Sequence, residues 1–238
     1  MFKSTGVLYL IPTTLGECEP LDVLPLSVQR TIDSLDYFIV ENEKTARKFI
    51  KLMCPEKSQP SLKLFKLDKY ADPMEVRTYL DACALGISVG LLSEAGVPAI
   101  ADPGADIVKL AHEKGIKVVP LVGPSSIILA MMSSGFNGQN FAFNGYLPID
   151  ASEKKSTLKN LEKISQEKNQ SQIFIETPYR NDKFLQDLKS ILHPSTMLCV
   201  ACDVTLPTEY IKTLSISNWK NERPDLHKRP AIFIIHKE

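Results

Sequence analysis

Short apolar runs and longer amphipathic stretches alternate through the first half of the chain. Val7 to Ile11, Tyr37 to Glu41, Leu62 to Leu67, Ile87 to Leu92 and Lys117 to Leu121 are strand-length runs. Ile87 to Leu92 carries no charge and is bounded by turn residues, which predicts a strand buried on both faces of a parallel sheet. Between these runs the pattern predicts helices from Pro25 to about Leu35 and from Glu43 to Met53. Asp72-Pro73-Met74-Glu75 reads as an N-cap, a proline at the first helical position and a capping-box glutamate, opening a helix that ends near Leu85-Gly86. Asp102 and Pro103 read in the same way as the cap and first residue of a helix that runs to about Lys114 and stops at Gly115.

After Ser134-Gly135 the texture changes. Phe136 to Asn140 is a turn-rich joint, which places a domain boundary between residues 1–136 and 137–238. Phe141 to Leu147, Ser171 to Glu176, Thr196 to Val204, Glu209 to Ile216 and Ala231 to Ile235 read as strands. Helices are expected over Glu153 to Lys168 and Tyr179 to Leu192, and Trp219 falls in a polar loop. Strands now outnumber helices. The expected architecture is therefore α/β, with a mostly parallel N-terminal sheet and a mixed C-terminal sheet.

Consecutive strands of a parallel sheet deliver their C-terminal loops to one edge, where open α/β sheets bind ligands. Thr13 to Asp22, Ser93 to Pro98 and Gly123 to Ser126 should face that crevice. Glycines there allow close backbone approach, helix starts offer unpaired N–H groups, and Glu94 can accept from ribose hydroxyls or an ammonium. Tight turns without a ligand are the alternative reading of the same loops.

Composition narrows the classes. The chain has 238 residues, 44% of them apolar, enough for a sizeable core. Its 28 basic residues balance 28 acidic ones, so whole-molecule attraction to nucleic acid is not supported, though a local basic face is compatible. On the helix from Glu153, five lysines (154, 155, 159, 163 and 168) either meet phosphate or form a solvated face, and the interleaved Glu153, Glu162 and Glu167 favour the second. The start of the chain has no signal-peptide plan, and the uncharged stretch from Val118 to Ile149 is too rich in proline, glycine and asparagine to span a membrane. Five scattered cysteines fit a reducing cytoplasm. Cys199 and Cys202 have the spacing of a metal or redox pair, but on a strand they point to opposite faces. The histidines at 112, 193, 227 and 236 show no metal-site spacing, so no metal is expected.

Several motifs occur together. Ser93-Glu-Ala-Gly-Val-Pro-Ala-Ile-Ala-Asp-Pro-Gly104 resembles S-D-A-G-T-P-x-I-S-D-P-G, the signature of the small-subunit ribosomal RNA methyltransferase I family in the tetrapyrrole methylase superfamily. Leu8 to Thr13 is similar to that family's L-Y-x-V-P-T, and Val118 to Ser126 to V-x-P-x-P-G-P-S. Phe143 to Pro148 is similar to F-x-G-F-L-P, and Ile173 to Arg180 to F-Y-E-S-P-H-R. The resemblance implies a cytoplasmic, homodimeric methyltransferase of two α/β domains with S-adenosylmethionine in the inter-domain cleft. By position it implies cofactor contacts at Ile11, Pro12, Ser93, Glu94, Gly96, Val97, Ser125, Ser126, Ile175, Ala201, Pro230 and Ala231. Its acceptor would be the ribose 2'-hydroxyl of a cytidine in 16S ribosomal RNA, free or in the small subunit.

The chain also departs from the family pattern. P-I-G-N-x-x-D is here Thr14 to Pro20, without the asparagine. A-E-D-T-R is Val40-Glu41-Asn42-Glu43-Lys44, and H-N-E is Tyr70-Ala71-Asp72. A-R-E-L-T-K is Ala201 to Leu206, with Cys202 and Leu206 replacing two basic residues. The cofactor loops keep their chemistry while the loop tips that would meet the acceptor change. Glu41, Glu176 and Asp203 are the candidate bases or orienting groups, and Lys44, Lys69 and Arg180 are the cations available to phosphate. Each carboxylate also has a structural alternative, as a helix cap or an ion-pair partner. Two other functions stay open: carbon methylation of a tetrapyrrole, and a paralogue that binds cofactor or ribosome without catalysis.

Overall fold

The computed structural model describes residues 5–68 and 70–238, and the chain divides into two compact units, up to Ser125 and from Ser126 onward. Lys69 lies outside the described residues.

The first unit holds a fully parallel sheet of β1 (Val7–Ile11), β2 (Tyr37–Val40), β3 (Lys63–Lys66), β4 (Val89–Leu92) and β5 (Lys117–Pro120), in the order β3-β2-β4-β1-β5. The three charge-free central strands take up most of the burial. All four residues of β4 are buried, as a strand covered on both faces requires. On one face, α1 (Leu26–Ser34) and α2 (Glu43–Met53) set Val28, Ile32 and Ile50 against Phe38 and Ile11. On the other, Tyr79, Leu80, Cys83, Ile107 and Ala111 pack on Leu8, Ile39 and Leu91. Full burial of each such aliphatic side chain contributes about 2 kcal/mol.

The expected continuous helix from Asp72 to Leu85 is two short ones, α3 (Pro73–Val76) and α4 (Asp81–Ala84). Asp72 does cap α3, accepting from the Met74 amide at 2.8 Å. The chain then tightens into bonds that span three residues, Thr78 N to Glu75 O and Tyr79 N to Val76 O. Tyr79 is drawn onto the sheet, where its ring stacks on Phe65 and its hydroxyl donates to Lys66 O at 2.7 Å. A second correction concerns α5 (Ala105–Glu113), which starts after Gly104 and not at Pro103. Asp102 Oδ1 accepts from Ala99 N and Gly104 N at 2.7 and 2.8 Å, so it closes the preceding turn. Gly115, at φ +66°, terminates the chain's passage out of that helix as expected.

The second unit begins with α6 (Ser126–Ser134), which packs against its own sheet. The turn-rich joint at 136–140 follows that helix and leads into β6, so the division of contacts falls earlier than the change of sequence texture. The sheet is mixed, in the order β6-β7-β10-β8-β9: β6 (Phe141–Tyr146) and β7 (Ser171–Ile175) are parallel, while β8 (Met197–Cys202), β9 (Tyr210–Ser215) and β10 (Ala231–His236) pair antiparallel. The helices α7 (Ala151–Lys168) and α8 (Asn181–Ile191) cover it with Leu158, Leu161, Phe184 and Leu188.

Two readings of this unit are corrected. Trp219 is not in a loop but ends a short helix, α9 (Ile216–Trp219); it is fully buried, and its indole donates to Leu198 O at 2.8 Å. The lysine-rich helix is not uniformly solvated either: Lys154 is buried and pairs with Asp187 at 2.8 Å. Glu162 is buried on the same helix, where it accepts from His193 N and the Thr196 hydroxyl.

Candidate functional site

In the first unit the register puts Ile11 opposite Leu92 and Leu10 opposite Pro120, so the loops after β1, β4 and β5 leave from one edge. They are locked together there. The Ser93 hydroxyl donates to Gly96 O at 2.6 Å, Thr13 N donates to the same carbonyl at 2.9 Å, and the Thr13 and Ser93 hydroxyls lie 3.4 Å apart. Both side chains are buried. Gly96 sits at φ +74°, where a side chain would also approach Pro124 O at 3.2 Å. A Cβ on Gly123 would lie 2.3 Å from Pro12, so the third loop closes on the first only through a glycine.

Beyond Gly96, Ala99 and Ala101 hold φ of +67° and +59°. Left-handed alanines cost about 1 kcal/mol each, and the Asp102 carboxylate fixes the turn that contains them. Asp102 also contributes charge. Glu41, just after β2, has its carboxyl pushed above the ordinary range by burial, then by Asp102 and Glu94, against which the Glu94 amide pulls it down. Glu94 is exposed, and its Oε1 accepts from the Thr45 hydroxyl at 2.7 Å.

This edge therefore gathers Ile11, Pro12, Glu41, Ser93, Glu94, Gly96 and Val97. Lys44 is in the exposed first turn of α2, which Asn42 caps by accepting from Lys44 N and Thr45 N. Ser125 is half-buried at the end of this unit. Beside the Ser93 loop a cavity of about 500 Å³ opens, lined by residues 13–18, by Thr45, Lys48, Phe49 and Leu52 of α2, and by Leu92 to Ala95.

In the second unit, antiparallel pairing brings a second set to one sheet edge: Ile175 faces Ile232, Cys202 faces Ala231, and Ala201 faces Ile232. Asp203 N donates to Pro230 O at 3.0 Å, tying the end of β8 to the start of β10. Both carboxylates here are ion-paired. Glu176 Oε1 accepts from Thr177 N and from Arg180 Nη2, each at 2.6 Å. Asp203 Oδ2 accepts from Arg229 Nε and the Thr208 hydroxyl, each at 2.7 Å. Ser126 opens α6 in this unit, separate from that edge in sequence.

Cys202 points into the core with Trp219 and Leu226, where burial pushes its thiol up to about 11, and Cys199 lies outside that cluster on the same strand. A basic side chain in place of Cys202 would be buried there. Arg229 instead brings the positive charge beside Asp203 from a different strand's approach.

Three participants escape the sequence reading, Thr45, Asp102 as a loop lock, and Arg229, while Thr13 lies in the loop expected at the crevice without being singled out. Thr13 follows Pro12 directly, and Arg229 precedes Pro230, so position beside expected contacts was the available signal. Thr45 meets Glu94 only through tertiary structure.

The tetrapyrrole (corrin/porphyrin) methylases match this chain over residues 8–218. The ribosomal RNA small subunit methyltransferase I of Bacillus subtilis is 31% identical, covering 91% of this chain and 71% of that protein. The protein of the same name from Vibrio cholerae is 29% identical over 97% of this chain and 77% of its own length. Among solved structures, the methyltransferase CobJ superposes with a TM-score of 0.64 at 15% identity, covering 98% of this chain and 95% of that one. Uroporphyrin-III C-methyltransferase of Thermus thermophilus, complexed with S-adenosylhomocysteine, gives 0.57 at 15% identity and covers 98% of each.

Proposed function

The chain belongs to the tetrapyrrole methylase family and, within it, to the ribosomal RNA small subunit methyltransferase I family, and from that premise we propose that it methylates a cytidine ribose 2'-hydroxyl in 16S ribosomal RNA. It is a methyltransferase of the S-adenosylmethionine-dependent class. The observation that carries the acceptor is a similarity of 29–31% identity over 91–97% of this chain to relatives named for that RNA, against tetrapyrrole enzymes that share the fold at 15% identity.

Bound S-adenosylmethionine supplies an electrophilic methyl on a sulfonium sulfur. The first unit suits such a cation, because the charges of Asp102 and Glu94 both act on Glu41 at the sheet edge where the glycine loops permit close approach. Ile11, Pro12, Ser93, Glu94, Gly96, Val97 and Ser125 hold the cofactor from this unit.

For the acceptor hydroxyl to take up that methyl, its proton would have to pass to a base of this chain. Positioning carries most of the barrier reduction in an in-line displacement. Glu41 is the base, and its raised carboxyl pKa supports that role because a carboxylate closer to neutrality takes a proton more readily. Glu176 and Asp203 orient Arg180 and Arg229, and Arg180 with Lys44 meets phosphate. The enzyme works as a cytoplasmic homodimer.

Purified protein given radiolabelled S-adenosylmethionine and small subunits from a strain lacking the gene should label the 16S RNA. Cofactor binding without label would contradict the proposed acceptor.

A further inference from the structure

The cavity of about 500 Å³ beside the Ser93 loop is not used by the cofactor reading, beyond sharing Ser93 and Glu94 with it. Its walls are of two kinds. Leu15, Phe49 and Leu52 give apolar surface, with Phe49 the aromatic member of the lining; Thr13, Thr14 and Thr45 give hydroxyls that both donate and accept. Its volume lies within the range of about 300–1,000 Å³ typical of small-molecule sites.

The charges at this cavity restrict what enters it. Glu17, Lys48 and Glu94 are the charged residues that line it, and Lys48 Nζ is 2.8 Å from Glu17 Oε1, so the pair neutralises itself. Glu94 is left as the net charge, its Oε1 held by Thr45 at 2.7 Å. A net negative cavity repels a phosphate and a polycarboxylate macrocycle alike. A neutral, planar ring with polar edges meets no such penalty: it stacks on an aromatic side chain and hydrogen-bonds the hydroxyls, as bases taken out of a helix do.

We propose that this cavity receives the base of the acceptor nucleotide, stacked on Phe49 with its polar edge toward Thr13, Thr14 and Thr45, while the phosphates stay outside. The inference rests on the RNA-acceptor reading above. It adds the subsite, and it makes the diverged loop 14–20 the wall that shapes base recognition. The cavity adjoins Ser93 to Ala95, the loop assigned to the methyl donor, so a base seated there holds its own ribose near that loop.

The test uses saturation-transfer NMR on the full chain with S-adenosylhomocysteine in excess, which blocks the cofactor site against nucleosides. Cytidine ring protons should saturate, and ribose 5-phosphate should not. Phe49→Ala should cut the cytidine signal at least fivefold. Leu52 is 50% exposed, so Leu52→Glu leaves folding intact, adds charge to the wall and should cut the signal similarly. Absence of cytidine saturation, equal saturation by ribose 5-phosphate, or an unchanged signal in a folded variant would each overturn the subsite. Failure of the wild-type protein to label 16S RNA is a separate result. It would sink the acceptor reading while leaving the binding measurement to stand or fall alone.

Discussion

The Ser93 hydroxyl donates to the carbonyl of Gly96 at 2.6 Å, and Thr13 N donates to the same oxygen. One carbonyl thus clamps the loop after β4 to the end of β1, with the donors buried. Ser93→Ala should remove one of those bonds at a cost of about 1 kcal/mol in stability. It should also weaken S-adenosylhomocysteine binding several-fold in calorimetric titration. An unchanged affinity would separate this clamp from the cofactor site.

Gly96→Ala should be the harsher change. At φ +74° an alanine is strained by about 1 kcal/mol, and its Cβ would meet Leu15 at 3.0 Å. Urea denaturation should show the loss, and cofactor titration should show affinity falling with it.

Glu41 titrates above the ordinary carboxylate range through burial first, then Asp102 and Glu94. A raised carboxyl in the folded state means the native protein binds more protons than the unfolded chain in that window. Its favourable contribution is present below the unfolded pKa and is lost as pH rises through the folded one. Glu41→Gln should therefore gain thermal stability relative to wild type at pH 7 and lose that advantage near pH 4. As the proposed base, it should also slow methyl transfer about 100-fold with cofactor affinity retained. Unchanged turnover would discard Glu41 as the base.

Glu162 titrates with the opposite sign. Burial pushes its carboxyl up, but the Thr196 hydroxyl, the His193 amide and Lys159 together hold it below the ordinary range. Its contribution is present above the unfolded pKa and is lost as pH falls through the folded one. Glu162→Gln should flatten the acid limb of the stability profile followed by circular dichroism, without altering cofactor binding.

Arg229 and Asp203 form an ion pair at the second unit's edge, with side-chain exposures of 25% and 8%. Arg229→Ala leaves a buried carboxylate uncompensated and should cost about 3 kcal/mol in denaturant unfolding. Adding Asp203→Asn should recover part of that loss, because the double variant no longer holds an unpaired charge.

The alternation of short apolar runs with helical stretches was legible because both periods are local. Most strand and helix bounds moved by only one or two residues, and Glu43–Met53 did not move. Three features were not local. The break between α3 and α4 follows from Tyr79 reaching Phe65 and Lys66, and the burial of Trp219 depends on Leu198. Lys154 is buried because Asp187 lies on the next helix. The site divides in the same way. Ser93, Glu94 and Gly96 stood out through their turn chemistry, whereas Thr45 against Glu94 and Arg229 against Asp203 join residues far apart in sequence.

The most direct test compares ribose methylation of 16S RNA, mapped by mass spectrometry, between the source organism and a strain lacking this gene. One cytidine 2'-O-methyl should vanish on deletion and return with the wild-type gene but not with Glu41→Gln. Identical maps in the presence and absence of the gene would contradict the proposed function.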